Sequence, residues 1–137
     1  MIACVEPYSA ACAYESVRAG EIVNVPGPHR SVMAGLNCGT LSSFAWPAIR
    51  DGADILVTVT NYHAFEAMII LAADGIVSGE SGSAGLAGLL ALLRDDAGAR
   101  EALASLGLEP EPDVLLISTE GITDPVLYGK VVSLPGR

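Results

Sequence analysis

Short apolar runs alternate along the chain with longer segments in which apolar residues recur at a helical period. Runs of consecutive apolar and β-branched residues predict buried strands at Ile2–Val5, Asp54–Thr60 and Val114–Ile117, with a weaker strand at Glu21–Val25. The segments between them predict helices at Ser9–Ala19, Ser31–Leu36, Phe44–Asp51, Tyr62–Asp74, Leu86–Leu93 and Ala97–Leu106. Strands that alternate with helices are typical of the α/β class, so we expect part of an open parallel sheet with flanking helices.

Residues with special backbone preferences mark the ends of these elements. Pro7 closes the first strand, since the residue before a proline is restricted. Ser9 is predicted to cap the helix that follows and Gly20 to end it, while Gly75 ends the long central helix. That central helix has one predicted apolar face, formed by Phe65, Met68, Ile69 and Ala72. The acidic, proline-rich segment Glu109–Pro112 predicts a stiff, exposed linker.

The composition indicates one folded, acidic domain. Of the 137 residues, 51% are hydrophobic and 17% are charged, which excludes intrinsic disorder. A chain of this length is typical of one domain, so residues 1–137 are predicted to form a single α/β unit. Sixteen acidic residues against seven basic ones leave a net charge of -9, which repels phosphate backbones and disfavours a nucleic-acid partner.

Neither a membrane segment nor a metal site is indicated. The longest uncharged stretch, residues 31–49, contains glycine, asparagine and proline, so it does not form a continuous apolar helix. The amino terminus lacks the basic region of a signal peptide. Cys4, Cys12 and Cys38 form no C-x-x-C pair and the two histidines stand apart, which indicates neither a disulfide framework nor a zinc site. We therefore expect a cytoplasmic protein.

A loop rich in glycine and serine leads into the helix at Leu86–Leu93. Its glycines, at positions 79, 82, 85 and 88, have two open interpretations: free backbone N–H groups that bind an anion, or close packing of the helix on the sheet. Glu80 disfavours a bare phosphate there through charge repulsion. The loop also approaches a nucleophile elbow, but the G-x-S-x-G spacing fails at Ser83 and no strand directly precedes it, so a serine hydrolase is weakly supported.

A second polar turn, Ser118–Gly121, follows the last predicted strand. Ligands of open α/β sheets bind outside the carboxyl ends of the strands, where a hydroxyl is suited to bond a ligand nitrogen. A plain turn built from small polar residues explains the same letters, so both interpretations stay open. The only lysine, Lys130, lies in a segment predicted to be peripheral, where we expect a solvated charge.

Four segments, taken in chain order, resemble the diaminopropionate ammonia-lyases. They are Val5–Pro7, Ser31–Gly39, Ser78–Gly82 with Gly85-Leu86, and Ile117–Gly121 with Thr123-Asp124. Enzymes of this family use pyridoxal phosphate and have the tryptophan-synthase-β (type II) fold. The resemblance covers nearly the whole chain but only the carboxyl-terminal portion of such an enzyme. It implies an α/β fold that corresponds to the carboxyl-terminal part of the type II large domain.

The resemblance also implies a cofactor, a substrate class and a set of binding residues. The family converts 2,3-diaminopropionate, a small amino acid, to pyruvate and ammonia by α,β-elimination, with pyridoxal 5'-phosphate as electron sink. Ser118 and Thr119 match the segment that places a hydroxyl near the pyridine nitrogen of the cofactor. Glu80, Ser81 and Gly82 match the segment beside the cofactor ring. These residues are therefore predicted to bind pyridoxal phosphate.

The departures from the family concern the catalytic groups. The Schiff-base lysine, the phosphate-binding glycine loop and the acidic proton-transfer residues belong to the amino-terminal part of the family's enzymes, and nothing in this chain matches them. Lys130 lies beyond the serine-threonine motif, where the family has no catalytic lysine. The expectation is an incomplete piece of a two-domain enzyme, inactive alone, that joins an amino-terminal half or another copy. The alternative is a non-catalytic module that binds a small amino acid through Ser118 and Glu80.

Overall fold

The described part of the chain contains two strands and five helices. A computed structural model describes residues 1–94 and 113–134, together with Glu101, Leu103, Ala104 and Gly107. The strands are β1 (Ala3–Pro7) and β2 (Ile55–Val59). The helices are α1 (Cys12–Ala19), α2 (Trp46–Gly52), α3 (Asn61–Ala73), α4 (Ala84–Leu93) and α5 (Pro125–Val132). Short 3-10 turns lie at Tyr8–Ala10 and Ala34–Leu36.

The two strands form a parallel pair. Val5 of β1 lies opposite Val57 of β2, and the whole of each strand takes part in the ladder. A parallel pair needs a long crossover connection, which here contains α1 and α2. Helix α4 packs on both strands and on α3. The predicted α/β class with parallel strands and flanking helices is confirmed.

Small side chains dominate the core between the sheet and the helices. The buried cluster consists of Met33, Val57, Val59, Ala64, Ala67, Ala84 and Ala87. The alanines on α3 and α4 let the two helix axes approach closely. A Cβ atom on Gly88 would lie 2.5 Å from Val5 Cγ2, so the glycine lets α4 lie directly against β1. Close packing is therefore the reason for a glycine at position 88.

A carboxylate from the end of β1 caps α1. Glu6 accepts hydrogen bonds from the backbone N–H groups of Ala13 and Tyr14, each at 2.9 Å. An anionic acceptor at a helix N-terminus satisfies unpaired donors and interacts favourably with the helix dipole. The predicted Ser9 cap is wrong, because Ser9 lies in the preceding 3-10 turn and α1 begins at Cys12.

Burial of α3 differs from the predicted pattern, although its ends agree. Gly20 and Gly75, with φ of 78° and 77°, stand at the ends of α1 and α3, as predicted. The residues of α3 that are fully buried are Ala64, Ala67 and Met68. Phe65 and Ile69, which were expected on the core face, are only partly buried. Because α3 meets α4 through small residues, alanines take the positions nearest the core.

Most predicted element boundaries agree with the structure, and two predicted strands do not. The ends of β1, β2, α2, α3 and α4 lie within two residues of the predicted positions. Val114–Ile117 does not form a strand: Leu115 is 87% exposed and Ile117 71% exposed, and no described strand lies beside them to supply hydrogen bonds. The predicted strand at Glu21–Val25 is reduced to one antiparallel bridge, between Asn24 and Thr40.

Helix α5 was not predicted, although its start carries a recognisable signal. Asp124 Oδ1 accepts hydrogen bonds from the backbone N–H groups of Val126 at 3.0 Å and Leu127 at 2.9 Å. Pro125 occupies the first turn, where its missing N–H is not needed. An aspartate followed by a proline is therefore the local signal that would have identified this helix.

Two further predictions concern residues beyond those described. The helix at Ala97–Leu106, apart from Glu101, Leu103 and Ala104, and the linker at Glu109–Pro112 lie outside the described residues. Within the part of the chain that is described, no helix has both the length and the apolar character required to cross a membrane.

His63 is expected to make the stability of the protein depend on pH. Its Nδ1 accepts a hydrogen bond from the Thr60 backbone N–H at 3.2 Å at the start of α3. Burial, with a contribution from the positive charge of Arg94, lowers the pKa of His63 below its usual 6.5. The unfolded chain therefore binds the proton more readily, so the free energy of unfolding is full above pH 6.5 and decreases as the pH falls through the folded-state pKa.

Urea unfolding at neutral and mildly acidic pH measures this effect. We expect His63→Asn to be less stable than the parent chain at neutral pH and to lose the part of the pH dependence that His63 contributes. His29→Asn is the matched control, since it leaves the contact between Thr60 and His63 in place and should retain the dependence. An unchanged pH profile in His63→Asn would show that His63 does not couple to folding.

Candidate functional site

Three segments that are far apart in sequence meet at one place, which we call the candidate site. They are the Ser78–Ser83 loop before α4, the Ser118–Gly121 turn, and Gly35 in the 3-10 turn after Met33. Each segment belongs to one of the motifs that carry the family resemblance. The candidate site is therefore a tertiary arrangement of separate motifs.

The Ser78–Ser83 loop is buried although it is polar. Ser78 is 1% exposed, Glu80 3% and Ser83 0%. The Ser83 hydroxyl donates to the carbonyl oxygens of Ala64, at 3.3 Å, and of Glu80, at 3.0 Å. These bonds fasten the loop to α3, so the loop forms a firm base for the groups that lie on it.

The Ser118–Gly121 turn docks on this loop through three hydrogen bonds. The Ser78 and Ser118 hydroxyl oxygens lie 2.8 Å apart. The Gly79 N–H donates to the Glu120 carbonyl oxygen at 3.1 Å, and the Ser81 N–H donates to Glu120 Oε1 at 3.3 Å. Backbone and side chain of Glu120 together hold the turn, so its position is defined at both ends.

Glycines make this close docking possible. A Cβ atom at Gly79 would lie 2.1 Å from the Gly121 carbonyl oxygen, and one at Gly82 would lie 2.2 Å from the Glu120 carbonyl oxygen. At Gly85 the nearest atom, the Ile117 carbonyl oxygen, is 3.6 Å away, an ordinary contact. Close packing therefore explains the glycines at 79 and 82 but does not require the one at 85.

An anion has little access to the backbone of this loop. The N–H groups of Gly79 and Ser81 are already bonded to Glu120, whose carboxylate takes the place that a bound anion would need. The buried carboxyl group of Glu80 adds a second acidic side chain. The structure thus agrees with the expectation that the loop does not hold a bare phosphate.

Gly35 joins the candidate site from the other side. Its backbone N–H donates to Ser81 Oγ at 3.0 Å. A Cβ atom at Gly35 would lie 2.9 Å from Glu120 Oε2 and 3.1 Å from Ser81 Oγ. The glycine therefore allows the 3-10 turn to approach the serine and the carboxylate at the same time.

The residues predicted to bind a cofactor have different surroundings in the structure. Ser118 lies in the candidate site and is exposed, whereas Glu80 is buried and its Oε1 has no hydrogen-bond partner among the described residues. Ser81 and Gly82 form the contact surface between loop and turn. Thr119 is exposed, and its side chain takes no part in the hydrogen bonds that join the described segments.

Sequence reasoning missed three participants that only their contacts reveal. Ser78, Gly35 and Glu120 were part of the quoted motifs but were not predicted to act in the site. The available signal was the resemblance itself, because it singled out the segments that contain them. Their roles depend on neighbours 39 to 46 positions away in the chain.

The candidate site offers two groups with unused bonding capacity. Ser118 Oγ is accessible and is both a donor and an acceptor, which suits a ring nitrogen. Glu80 Oε1 is a buried acceptor that a ligand hydroxyl or ammonium group would satisfy. Together they fit a small polar ligand with both kinds of group.

The histidines and Lys130 lie apart from this arrangement. His63 Nδ1 bonds to Thr60, and His29 Nδ1 donates to the Ser9 carbonyl oxygen at 3.0 Å, so neither activates a serine of the loop. Lys130 is an exposed residue of α5. The arrangement that a serine hydrolase requires is therefore not assembled among the described residues.

Comparison with known proteins identifies the relatives of this chain. Residues 1–117 match the family model described as "Pyridoxal-phosphate dependent enzyme". Diaminopropionate ammonia-lyase from Escherichia coli (strain K12) is 38% identical over 133 residues, and the enzyme of the same name from Salmonella typhimurium (strain LT2) is 37% identical over 136 residues. Each match covers 93% of this chain but only 33% of the relative's length.

Solved structures of enzymes show the same fold. A threonine deaminase from the organism abbreviated T.th. has 29% identity and a TM-score of 0.62, over 73% of this chain and 34% of that one. Maize serine racemase has 26% identity and a TM-score of 0.63, over 73% of this chain and 30% of that one. L-serine ammonia-lyase from Rhizomucor miehei, 22% identical, matches in fold with a TM-score of 0.73 over 94% of this chain and 39% of that one.

Proposed function

The chain belongs to the family of pyridoxal-phosphate dependent enzymes, and on this premise we propose that it supplies one wall of the cofactor site of a diaminopropionate ammonia-lyase. The complete enzyme would convert 2,3-diaminopropionate to pyruvate and ammonia by α,β-elimination. The similarity to two curated enzymes of that name supports this choice of substrate. The chain spans 33% of their length, so the proposal concerns one part of the enzyme.

The convergence of separate motifs is the observation that carries this proposal. Gly35 bonds to Ser81, Ser81 bonds to Glu120, and Ser78 bonds to Ser118, so three of the segments that resemble the family contact one another. Segments that merely shaped the fold would not need to bring their polar groups together at one place. Their meeting at the candidate site is what a shared ligand requires.

Ser118 and Glu80 are the residues we assign to direct contact with the cofactor. Bound pyridoxal phosphate supplies an electron sink for the carbanion that forms when the α-proton of the substrate leaves. Ser118 would hold the pyridine nitrogen through a hydrogen bond, and the unpartnered Glu80 Oε1 would accept a hydrogen from the bound ligand. Ser81 and Gly82 would line the wall beside the ring, with Thr119 at its edge.

The covalent anchor and the phosphate site are assigned to the remainder of the enzyme's length. Lys130 is exposed on α5, and the loop N–H groups of Gly79 and Ser81 are occupied by Glu120. The chain therefore orients the ring end of the cofactor and leaves its aldehyde and phosphate ends to other groups. We assign no catalytic residue to this chain.

A partner polypeptide follows from this division of roles. The exposed apolar side chains of Leu115, Ile117 and Val126 support a further surface of the enzyme, or a second copy, that covers them. We place the protein in the cytoplasm, since Cys4, Cys12 and Cys38, all described residues, form no disulfide.

A chimeric enzyme tests the proposed function. The matching portion of the Escherichia coli relative is replaced by this chain, and ammonia release from 2,3-diaminopropionate is measured. We expect the chimera to release ammonia, and its Ser118→Ala variant to do so at least about tenfold more slowly, the effect of losing one hydrogen bond to the cofactor. Ser43→Ala, an exposed serine outside the candidate site, is the matched control and should change nothing.

Three results would contradict the proposal in different ways. A folded chimera that releases no ammonia from any amino acid would contradict the function. Release from serine or threonine but not from 2,3-diaminopropionate would correct the substrate. Equal rates for the parent chimera and Ser118→Ala would remove Ser118 from the cofactor site. If the chain by itself binds 2,3-diaminopropionate in calorimetry while the chimera is inactive, the non-catalytic binding module is the better description.

A further inference from the structure

Two serine hydroxyls in the candidate site share one hydrogen bond. Ser78 Oγ and Ser118 Oγ lie 2.8 Å apart, and the distance alone does not say which one donates. Their surroundings differ, because Ser78 is 1% exposed and Ser118 is an exposed residue. Gly82 lies beside the pair: a Cβ there would be 2.7 Å from Ser78 Oγ and 2.9 Å from Ser118 Oγ.

Burial decides the direction of this bond. If Ser118 donated, the hydrogen of the buried Ser78 would have no acceptor, because Ser118 Oγ is its single partner among the described residues. A buried donor without an acceptor is strongly disfavoured. If Ser78 donates, its hydrogen is satisfied, and the hydrogen of the accessible Ser118 is free for solvent or a ligand. The second arrangement satisfies both hydroxyls.

We propose that Ser78 is a positioning residue that makes Ser118 a hydrogen-bond donor toward the ring nitrogen of the cofactor. This inference rests on the proposed function. A hydroxyl whose lone pair is occupied by Ser78 presents its hydrogen outward, so it binds a ring nitrogen that carries no proton. Ser78 thereby selects the unprotonated form of the pyridine ring without touching it.

The acidic groups near the pair make this selection necessary. Glu80 on the loop and Glu120 on the turn are the titratable side chains of the two contacting segments, and α4 beside them has none. Carboxylates favour the protonated, cationic form of a nearby ring. The directed Ser118 hydroxyl therefore opposes a preference that these two acidic residues would otherwise impose.

A measurement on the chain without any ligand tests the direction of the bond. In mixed light and heavy water, a serine hydroxyl that exchanges slowly gives two resolved Cβ carbon signals in the NMR spectrum. We expect two signals for the donor Ser78 and one averaged signal for Ser118. In Ser118→Ala, the Ser78 hydroxyl loses its acceptor and should exchange faster. A split signal for Ser118 together with an averaged one for Ser78 would overturn the inference.

A second measurement uses pyridoxal phosphate with an isotope-labelled ring nitrogen. Its chemical shift on the 137-residue chain reports ring protonation, and equilibrium dialysis reports affinity. We expect the unprotonated ring on the parent chain, and on Ser78→Ala a shift toward the protonated form with several-fold weaker binding. Ser83→Ala is the control, because Ser83 is equally buried but bonds to the Ala64 and Glu80 carbonyls, so its ring shift should match the parent.

The variants separate a failure of this inference from a failure of the proposed function. If Ser118→Ala binds the labelled cofactor with the parent's affinity and ring shift, Ser118 does not contact the ring and the proposed function fails. If Ser118→Ala changes the ring shift but Ser78→Ala behaves as the parent, the role of Ser78 is wrong. If the parent chain does not bind the cofactor, the binding proposal fails and the exchange measurement still decides which hydroxyl donates.

Discussion

Replacing Gly82 by alanine is expected to lower the free energy of unfolding by about 1–3 kcal/mol, the range for overpacked sites. The new Cβ atom would lie 2.2 Å from the Glu120 carbonyl oxygen and 2.7 Å from Ser78 Oγ. The carbonyl is held by the Gly79 N–H, so it cannot withdraw without breaking that bond. The variant should therefore release the Ser118–Gly121 turn from the loop.

Chemical denaturation measures the global effect, and amide hydrogen exchange locates it. Protection should be lost at the Gly79 and Ser81 amides, which donate to Glu120. Gly85→Ala is the matched control: its Cβ would meet the Ile117 carbonyl at an ordinary 3.6 Å. Since alanine favours a helix over glycine, this control should be unchanged or more stable by up to about 1 kcal/mol. Parent-like stability and exchange in Gly82→Ala would show that the turn is not docked as described.

Replacing Glu80 by methionine is expected to change stability and cofactor binding in opposite directions. Glu80 is 3% exposed, and its Oε1 has no partner among the described residues. A buried acceptor without a partner costs about 1–3 kcal/mol, so a flexible apolar side chain of similar length should raise the free energy of unfolding by about that much. A site that exists for a ligand keeps such a group in spite of this cost.

Denaturation and equilibrium dialysis with pyridoxal phosphate read the two effects. If Glu80 accepts a hydrogen from the bound cofactor, the methionine variant should bind about tenfold more weakly, equivalent to about 1.4 kcal/mol. Glu21→Met, at an exposed position, is the control and should alter stability by less than about 0.5 kcal/mol. A variant that is more stable and binds the cofactor as the parent does would exclude Glu80 from the site.

Local patterns were sufficient for most helices and both paired strands. The run from Ile55 to Val59 is apolar and β-branched, and the glycines at 20 and 75 adopt positive φ where the helices end. These features act over a few neighbouring residues, so their consequences can be predicted from short windows. Helix α5 was missed although Asp124 and Pro125 carry an equally local signal.

Predictions failed where a distant part of the chain decided the outcome. Ser9 looked like the cap of α1, but a carboxylate from the end of β1 occupies the N–H groups of Ala13 and Tyr14. Val114–Ile117 has the composition of a buried strand, yet pairing needs a neighbour that no described segment supplies. On α3, the approach of α4 brings alanines to the core in place of Phe65 and Ile69.

The order of motifs along the chain was enough to indicate the family, the class of cofactor and the segments that form the candidate site. Those properties are carried by residue types at given positions, and they do not depend on knowing which atoms touch. Folding alone established that Ser78 lies 2.8 Å from Ser118, that Glu120 occupies the loop N–H groups, and that Glu80 is buried without a partner among the described residues. Such contacts join residues about 40 positions apart, and only the packing of helices on the sheet brings them within hydrogen-bonding distance.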